Sequence, residues 1–425
     1  MEALKILSQL KNIIWGTPTL GLLLSLGVYF TLKSGFYRKS AIKKTITHTL
    51  GSLKQKGNGE ISPFAAVATA LGGTVGIGSI VGMGYAVSSG GAGSIFWMWV
   101  CSFFGMGLKY AEVKIALNRR TLTKQGRFGG APFRLGEMGY KKTALLFCLL
   151  CLAVSFFTGN LTQTGVMYDF FESIGASKLF SALLCLIIIG IALFGGRKRI
   201  AAINSFIVPA FSAVYLLCAL CIIILNFKNL GSAISAVFSQ AFGFRAISGG
   251  FSGAVLAQVI REGFARSLFS NEAGMGSSPL AHATGNTSPA VQSEWGIFEI
   301  FFDTFIISTA TALCLLSSNS NSVPAMFLST FGNTGIYLFG TLISVFAFAS
   351  VISWCYYGEC CIAYMFKSPK IPSMAYRVIF AAATLLGGFV SNTALWDIAD
   401  ILNALMMFPN LFLLFKCRNE IERMV

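Results

Sequence analysis

Charge is what this sequence has least of. Charged residues make up 11% of its 425 residues, under half of the roughly 25% that a soluble domain carries. That shortage excludes an ordinary soluble globular protein. Acids are scarcer than bases, 16 against 32, and the formal net charge is +16. The bases stand in short clusters between apolar stretches, and aromatics are not interleaved with them. This excludes a nucleic-acid groove and points to anionic lipid headgroups and membrane topology. There are two histidines, His48 and His282, both read as loop residues. A buried nucleophile with its base, or a metal cluster, has nothing to build on, so no enzyme chemistry is expected. Eleven cysteines are present, mostly inside apolar segments. Cys148 and Cys151 form a C-x-x-C, as do Cys218 and Cys221, and Cys360 and Cys361 are adjacent, but each C-x-x-C lies inside an apolar segment. They read as small hydrophobes, without disulfides or a transition metal. A cleavable signal peptide is not expected, because the first apolar segment lacks a small-residue cleavage site and leads into a basic loop.

Apolar segments are what remains. A helix needs about 20 apolar residues to cross a bilayer. Eleven segments meet that measure, at roughly 15–36, 62–87, 93–115, 143–167, 178–196, 200–226, 247–275, 293–316, 333–360, 373–391 and 395–415. With all eleven counted as spans, twenty-five Lys and Arg fall on one side and five on the other. The rich side includes the loops at 33–56 and 109–142, Arg197–Arg199 and the tail from Lys416. The positive-inside rule puts those loops and the C-terminus in the cytoplasm and the N-terminus outside. The expected class is an all-α polytopic protein of the cell membrane.

Glycine is the conspicuous excess. Residues 72–84 read GGTVGIGSIVGMG, although glycine inside a helix costs about 1 kcal/mol relative to alanine. Gly72, Gly73, Gly76, Gly78, Gly82 and Gly84 spread around the helix instead of forming one packing face, which predicts a broken helix. The seventh segment, with its SNEAGMG, is interrupted as well. Both are followed by an aromatic-rich span, and they start on opposite sides. One extra helix plus two inverted five-helix repeats follows: 1–61 as the N-terminal segment with its basic loop, 62–226 and 227–415 as the repeats, and 416–425 as a tail. Paired broken helices are the sequence pointer to a transporter's central site. Freed backbone groups need a partner there, and a small zwitterion with a cation supplies one.

Several stretches carry a resemblance: TALGGTVGIGSIVGMGYAVSSGGAGSIFWMWV, REGFARSLFSNEAGMGSSPLAHA, FDTFIISTATAL, FAFASVISWCYYGE and WDIADILNALMMFPNLFLL. The chain resembles the alanine or glycine:cation symporter family over nearly its whole length. The resemblance implies the leucine-transporter fold and import of alanine or glycine by alternating access, coupled to Na+ or, as the rival, to H+. A larger neutral substrate such as glutamine, serine or threonine, or a transport-dead amino-acid sensor, are the alternatives. A monomer without an organic cofactor is the expected unit.

For the substrate, the expected contacts are Thr74, Gly76, Gly78 and Ser79 in the first break, Gln163 in GNLTQTG, Gly263 and Phe264 as the second break, and Trp354 as a closing ring. For the cation, the resemblance points to Thr74, Ile77, Ala349, Ser350 and Ser353. The family usually has a polar residue where Ile77 stands, asparagine where Ser79 stands and a hydroxyl where Ala349 stands. Charge inside a membrane is costly and must pair or face water. Arg261, Glu262, Arg266, Asn271, Glu272 and Asp303 are therefore read as a gate or ion-pair group, with an arginine of span seven as one partner for Asp303.

Overall fold

The computed structural model describes residues 7, 9–11, 13–55, 61–123, 126–242, 252–366, 368–389 and 392–424. Helix α1, Thr17–Ser34, ends at Gly35, whose φ of 64° is left-handed. The chain then bends by 89° into α2, Lys39–Ser52. The segment 33–56, expected to be a loop, is thus mostly helix, and it exposes Ile42, Ile46 and Leu50 along one face. A charged helix with one apolar stripe lies on a bilayer surface more readily than it crosses one.

The glycine-rich segment breaks as expected. Helix α3, Pro63–Thr74, is capped by the Ser62 hydroxyl, which accepts from the Ala65 N–H at 3.1 Å, with Pro63 at its first position; both are favoured there. It stops at Thr74, and α4, Val81–Gly90, resumes after a turn. Helix α5, Gly93–Asn118, follows, then the hairpin of β1, Thr121–Thr123, and β2, Gly126–Phe128, and a short α6, Ala131–Glu137. Helix α7, Lys141–Ser173, carries a π turn at Phe157–Leu161. Helices α8, Lys178–Phe194, α9, Gly196–Leu225, and α10, Phe227–Ala241, complete this part.

Helix α11, Ser252–Asn271, leads into an irregular turn and the short α12, Ser278–His282. Helix α13, Pro289–Ser317, has a second π stretch at Phe301–Ser308. Then come α14, Val323–Phe331, α15, Asn333–Met365, α16, Lys370–Ala383, and α17, Asn392–Lys416. A helix or helix pair therefore stands at each of the eleven apolar segments, though residues 247–251 of the seventh and 390–391 of the tenth lie outside the described residues. The same holds for Lys5, Lys56, Lys124, Arg245 and Lys367 among the topology-setting bases. Among the described residues, five helices suffice by length and composition to cross a membrane, namely α7, α9, α13, α15 and most of α17, with the bent α1–α2 pair as a sixth. The protein is an all-α polytopic membrane protein. Outward faces such as Leu217, Ile224 and Leu225 of α9, each at least 60% exposed, present hydrocarbon where lipid satisfies it.

Two groups of helices make the core. Helix α15 packs against α3, α7 and α9; α5 packs against α1, α10, α11 and α13. The π turn of α7 is shaped by this packing. A methyl group on Gly159 would overlap the Cβ of Trp354 on α15, so glycine there lets the indole close on the backbone. π turns inside α-helices are frequent at functional sites.

Candidate functional site

The two groups meet at the break between α3 and α4. Val75 leaves the helix with φ −74° and ψ 115°. Ser79 closes the turn: its hydroxyl accepts from the Gly76 N–H at 3.1 Å and donates to the Thr74 carbonyl at 3.4 Å. The last turn of α3 is held from α15, where the Ser350 hydroxyl donates to the Gly72 carbonyl at 2.8 Å. Ser353 accepts from the Asn204 amide at 2.8 Å. A side chain at Gly72 has no room here, since its Cβ would stand 2.7 Å from the Ser353 oxygen and 3.0 Å from the Asn204 nitrogen.

On the other side, a Cβ at Gly78 would stand 3.3 Å from Ser270 Cα. The Ser270 hydroxyl donates to Asp303 Oδ2 at 2.6 Å. Asp303 is fully buried in the π stretch of α13, and among the described residues its Oδ1 has no hydrogen-bond partner. Nor do the buried carbonyl oxygens of Gln163 and Asn204. Unpaired buried oxygens cost about 1–3 kcal/mol each, so their concentration on the helices around this break marks oxygens free to take a cation, a proton or a ligand ammonium. A cavity of about 700 Å³ lies beside the start of α4, at Val81 and Tyr85, and is lined also by Val166 and Ile343 and by charged Lys11, Asp169, Arg266, Asp397 and Asp400. Lys11 donates to Asp397 at 2.8 Å and lies 3.4 Å from Asp400.

The second break is displaced from its expected place. Helix α11 runs unbroken through Gly263 and Phe264. Gly263 is small because the Ser94 carbonyl and Trp97 of α5 press on it, and Phe264 packs edge-on against Trp97. The helix stops eight residues later, where Glu272 takes a left-handed φ of 53°, followed by Gly274 at 86° and Gly276 at 77°. A carboxylate takes up the freed backbone: Glu112 accepts the N–H groups of Gly274 at 3.2 Å and Gly276 at 3.0 Å, and the Asn410 amide at 2.5 Å. Beside it, Lys109 donates to the Glu272 carbonyl at 3.1 Å and Ser278 at 2.7 Å, and lies 3.5 Å from Glu299. His282 bonds Glu299 at 2.8 Å and Gln292 at 2.9 Å.

The sequence reading missed this cluster. It placed Lys109 in a loop, whereas the residue is fully buried on α5. It also placed both histidines in loops, whereas His48 lies on α2 and His282 is buried on α12. The available signal was the pair Lys109 and Glu112, three apart on one helix face in an aromatic-rich segment.

Other expected residues separate into those the structure gathers and those it does not. Thr74, Gly76, Gly78, Ser79, Ser350 and Ser353 surround the break, and Gln163 lies just past the π turn of α7. Ile77 and Ala349 are packed in the apolar core and bring no side-chain oxygen. Trp354 is buried against Gly159 and Tyr357, so in this conformation it is a packing residue. The expected arginine partner of Asp303 is replaced by Ser270: among the described residues, Asp303 forms no ion pair with α11. Arg261, Glu262 and Arg266 lie apart from Asn271 and Glu272, around a small pocket with Lys11 and Asp400. Asn271 crosslinks Ser102, Ser267 and Thr304 at 3.0–3.3 Å.

Comparison with known proteins identifies the family. Residues 1–424 match the sodium:alanine symporter family. A transporter of Haemophilus influenzae is 36% identical, covering 98% of this chain and 94% of its own. The sodium/alanine symporter AgcS of Methanococcus maripaludis is 32% identical over 97% of this chain and 94% of its own. GlnT of Bacillus subtilis, a probable sodium/glutamine symporter, is 32% identical over 95% of this chain and 86% of its own. On the family match and these full-length relatives, the chain belongs to the sodium:alanine symporter family and is an amino-acid transporter of that type.

Proposed function

We propose that this protein is a secondary active symporter that moves a small neutral amino acid, alanine or glycine, together with sodium. The observation that carries the reading is the break at 75–80: the helix turn before it is held by Ser350, its Gly78 packs against Ser270, which bonds Asp303, and unpaired oxygens of Asp303, Gln163 and Asn204 lie on the helices around it. Freed N–H groups suit a substrate carboxylate and freed carbonyls suit a cation. A hard cation wants about six oxygens, and the Thr74 and Ser350 hydroxyls with neighbouring carbonyls are the donors at hand. One charge crossing 100 mV supplies about 2.3 kcal/mol, enough for roughly 50-fold accumulation.

The arrangement we propose has eleven spans, one plus two inverted fives, with the N-terminus outside the cell membrane, the C-terminus in the cytoplasm and a single chain as the unit. Breaks after Thr74 and Asn271, in the second and seventh segments, support the repeat. The 700 Å³ cavity is then the entrance open to one side in alternating access. The proton reading has one observation in its favour, the unpaired Oδ1 of buried Asp303.

Equilibrium binding of labelled alanine to the purified protein tests the sodium reading. Sodium added at constant ionic strength is expected to tighten binding roughly tenfold, a usual size for coupling between sites. Ser350→Ala is expected to remove most of that dependence. Alanine affinity indifferent to sodium in both proteins contradicts the assignment.

A further inference from the structure

The bend after α1 sets a geometry that the transport site does not use. Helix α1 is 18 residues long, about 27 Å at 1.5 Å per residue, close to the roughly 30 Å of a bilayer's hydrocarbon. It exposes Leu22, Tyr29 and Leu32 along its length, an apolar face that lipid satisfies up to the last turn. The chain then turns by 89° into α2. A helix at right angles to one that crosses the membrane runs along the bilayer surface, at the level where the crossing helix ends.

Helix α2 is held there in one orientation. On its protein side, His48 bonds Glu294 of α13 at 2.8 Å, and Ser52 accepts from the Trp295 indole at 2.8 Å. Ala41 and Thr49 are buried on that same side. Ile42, Ile46 and Leu50 recur every four residues and are 47–61% exposed. At about 100° per residue, their stripe stands roughly a third of a turn from the buried face, so the ties that fix one face aim the other. Lys39 and Lys43, also four apart, run along the outer edge of the stripe. Both are exposed, and among the described residues neither side chain has a hydrogen-bond or ion-pair partner. Lys44 stands elsewhere around the helix, within electrostatic reach of Glu294. The segment Lys39–Ser52 contains no acid. An apolar stripe edged by cations, lying in the membrane plane, suits hydrocarbon overlaid by anionic phosphates. A soluble anion leaves the stripe in water, and a neutral lipid leaves the two lysines without a counter-charge.

We propose that α2 is a docking surface for anionic phospholipid, with Ile42, Ile46 and Leu50 in the interface and Lys39 and Lys43 on headgroup phosphates. The contact is separate from the break at 75–80 and stands whatever substrate the transporter carries.

Hydrogen–deuterium exchange of the full chain in lipid nanodiscs tests it, read on peptides from Lys39–Ser52. The discs hold phosphatidylcholine alone, or an equal mixture with phosphatidylglycerol of the same acyl chains. Exchange of α2 is expected to be roughly tenfold slower in the anionic discs. Lys39→Gln with Lys43→Gln is expected to remove that gain and leave exchange in phosphatidylcholine unchanged. Ile46→Ser is expected to speed exchange in both discs. All three side chains are exposed, so folding is not at stake; Lys228→Gln, an exposed lysine on α10, serves as the control and is expected to keep the gain. Equal exchange of α2 in the two discs overturns the proposal. So does a lysine double variant that behaves like the control, or an Ile46→Ser variant that exchanges like wild type. A gain that appears only with two chains per disc also overturns it, in favour of a contact between copies.

Discussion

Asp303→Asn is expected to lower concentrative alanine uptake roughly 100-fold, the size of losing a hydrogen-bonded charge worth about 1.5–3 kcal/mol, while the protein stays folded. Asparagine has the shape of aspartate and still accepts from Ser270 through its carbonyl, so the packing of the π stretch survives. What is lost is the negative charge and the ability to take a proton. The measurement is uptake into proteoliposomes beside alanine exchange with no gradient, and gel filtration for folding. Accumulation lost with exchange kept identifies Asp303 as the group that couples the ion gradient. Loss of both places it at the substrate or sodium site. Unchanged accumulation removes Asp303 from the mechanism, and an aggregated variant would make the carboxylate structural. The prediction is strong because Asp303 is buried, lies one serine away from the broken helix and keeps an oxygen unpaired.

Lys109→Met is expected to destabilise the protein by about 3–5 kcal/mol, the cost of removing one partner from a buried ion pair. Lys109 and Glu299 are both fully buried, 3.5 Å apart. Methionine keeps the length of the side chain and loses the ammonium, which leaves Glu299 with His282 and Ser278 alone. The second break loses a tie as well, because the Glu272 carbonyl no longer has its donor at 3.1 Å. A fall in apparent melting temperature of several degrees in detergent is the readout. Adding Glu299→Gln is expected to restore part of it, because the stranded charge is gone; the pair forms a double-mutant cycle. A single variant as stable as wild type, or a double variant no better than the single, shows that the cluster is not held by this ion pair.

The first break was legible in the sequence because six glycines in thirteen residues have no helical use, and the helix does stop inside that run. The second break was not legible in the same way. Gly263 and the SNEAGMG run look alike as interruptions, yet glycine serves two ends: Gly263 admits the Ser94 carbonyl and Trp97 within an intact helix, while Gly274 and Gly276 adopt the left-handed backbone of a true break. Which role applies depends on what packs there, and that partner lies about 165 residues away along the chain. The packing of Trp354 in this conformation was not legible for a related reason. Its neighbour Gly159 sits in a π turn, and π turns leave no periodic signature in the sequence.

Charge placement shows the same limit. Lys109 and Glu112 looked like the edge of a basic loop because they stand at the end of an apolar run. The structure buries them because distant groups satisfy them, chiefly Ser278, Glu299, Asn410 and the N–H groups after Glu272. By contrast, Ser350 and Ser353 were found through the family resemblance, and the structure places both hydroxyls against the final turn of α3.

The central claim is that the broken helix at 75–80 binds a small neutral amino acid and that an ion gradient drives it across the membrane. Uptake of labelled alanine into proteoliposomes tests it most directly, run with an inward sodium gradient, an inward proton gradient and neither. Sodium-driven accumulation, blocked by unlabelled glycine, is the expected result. Failure to accumulate alanine under either gradient, by protein that still binds another amino acid, would contradict the account.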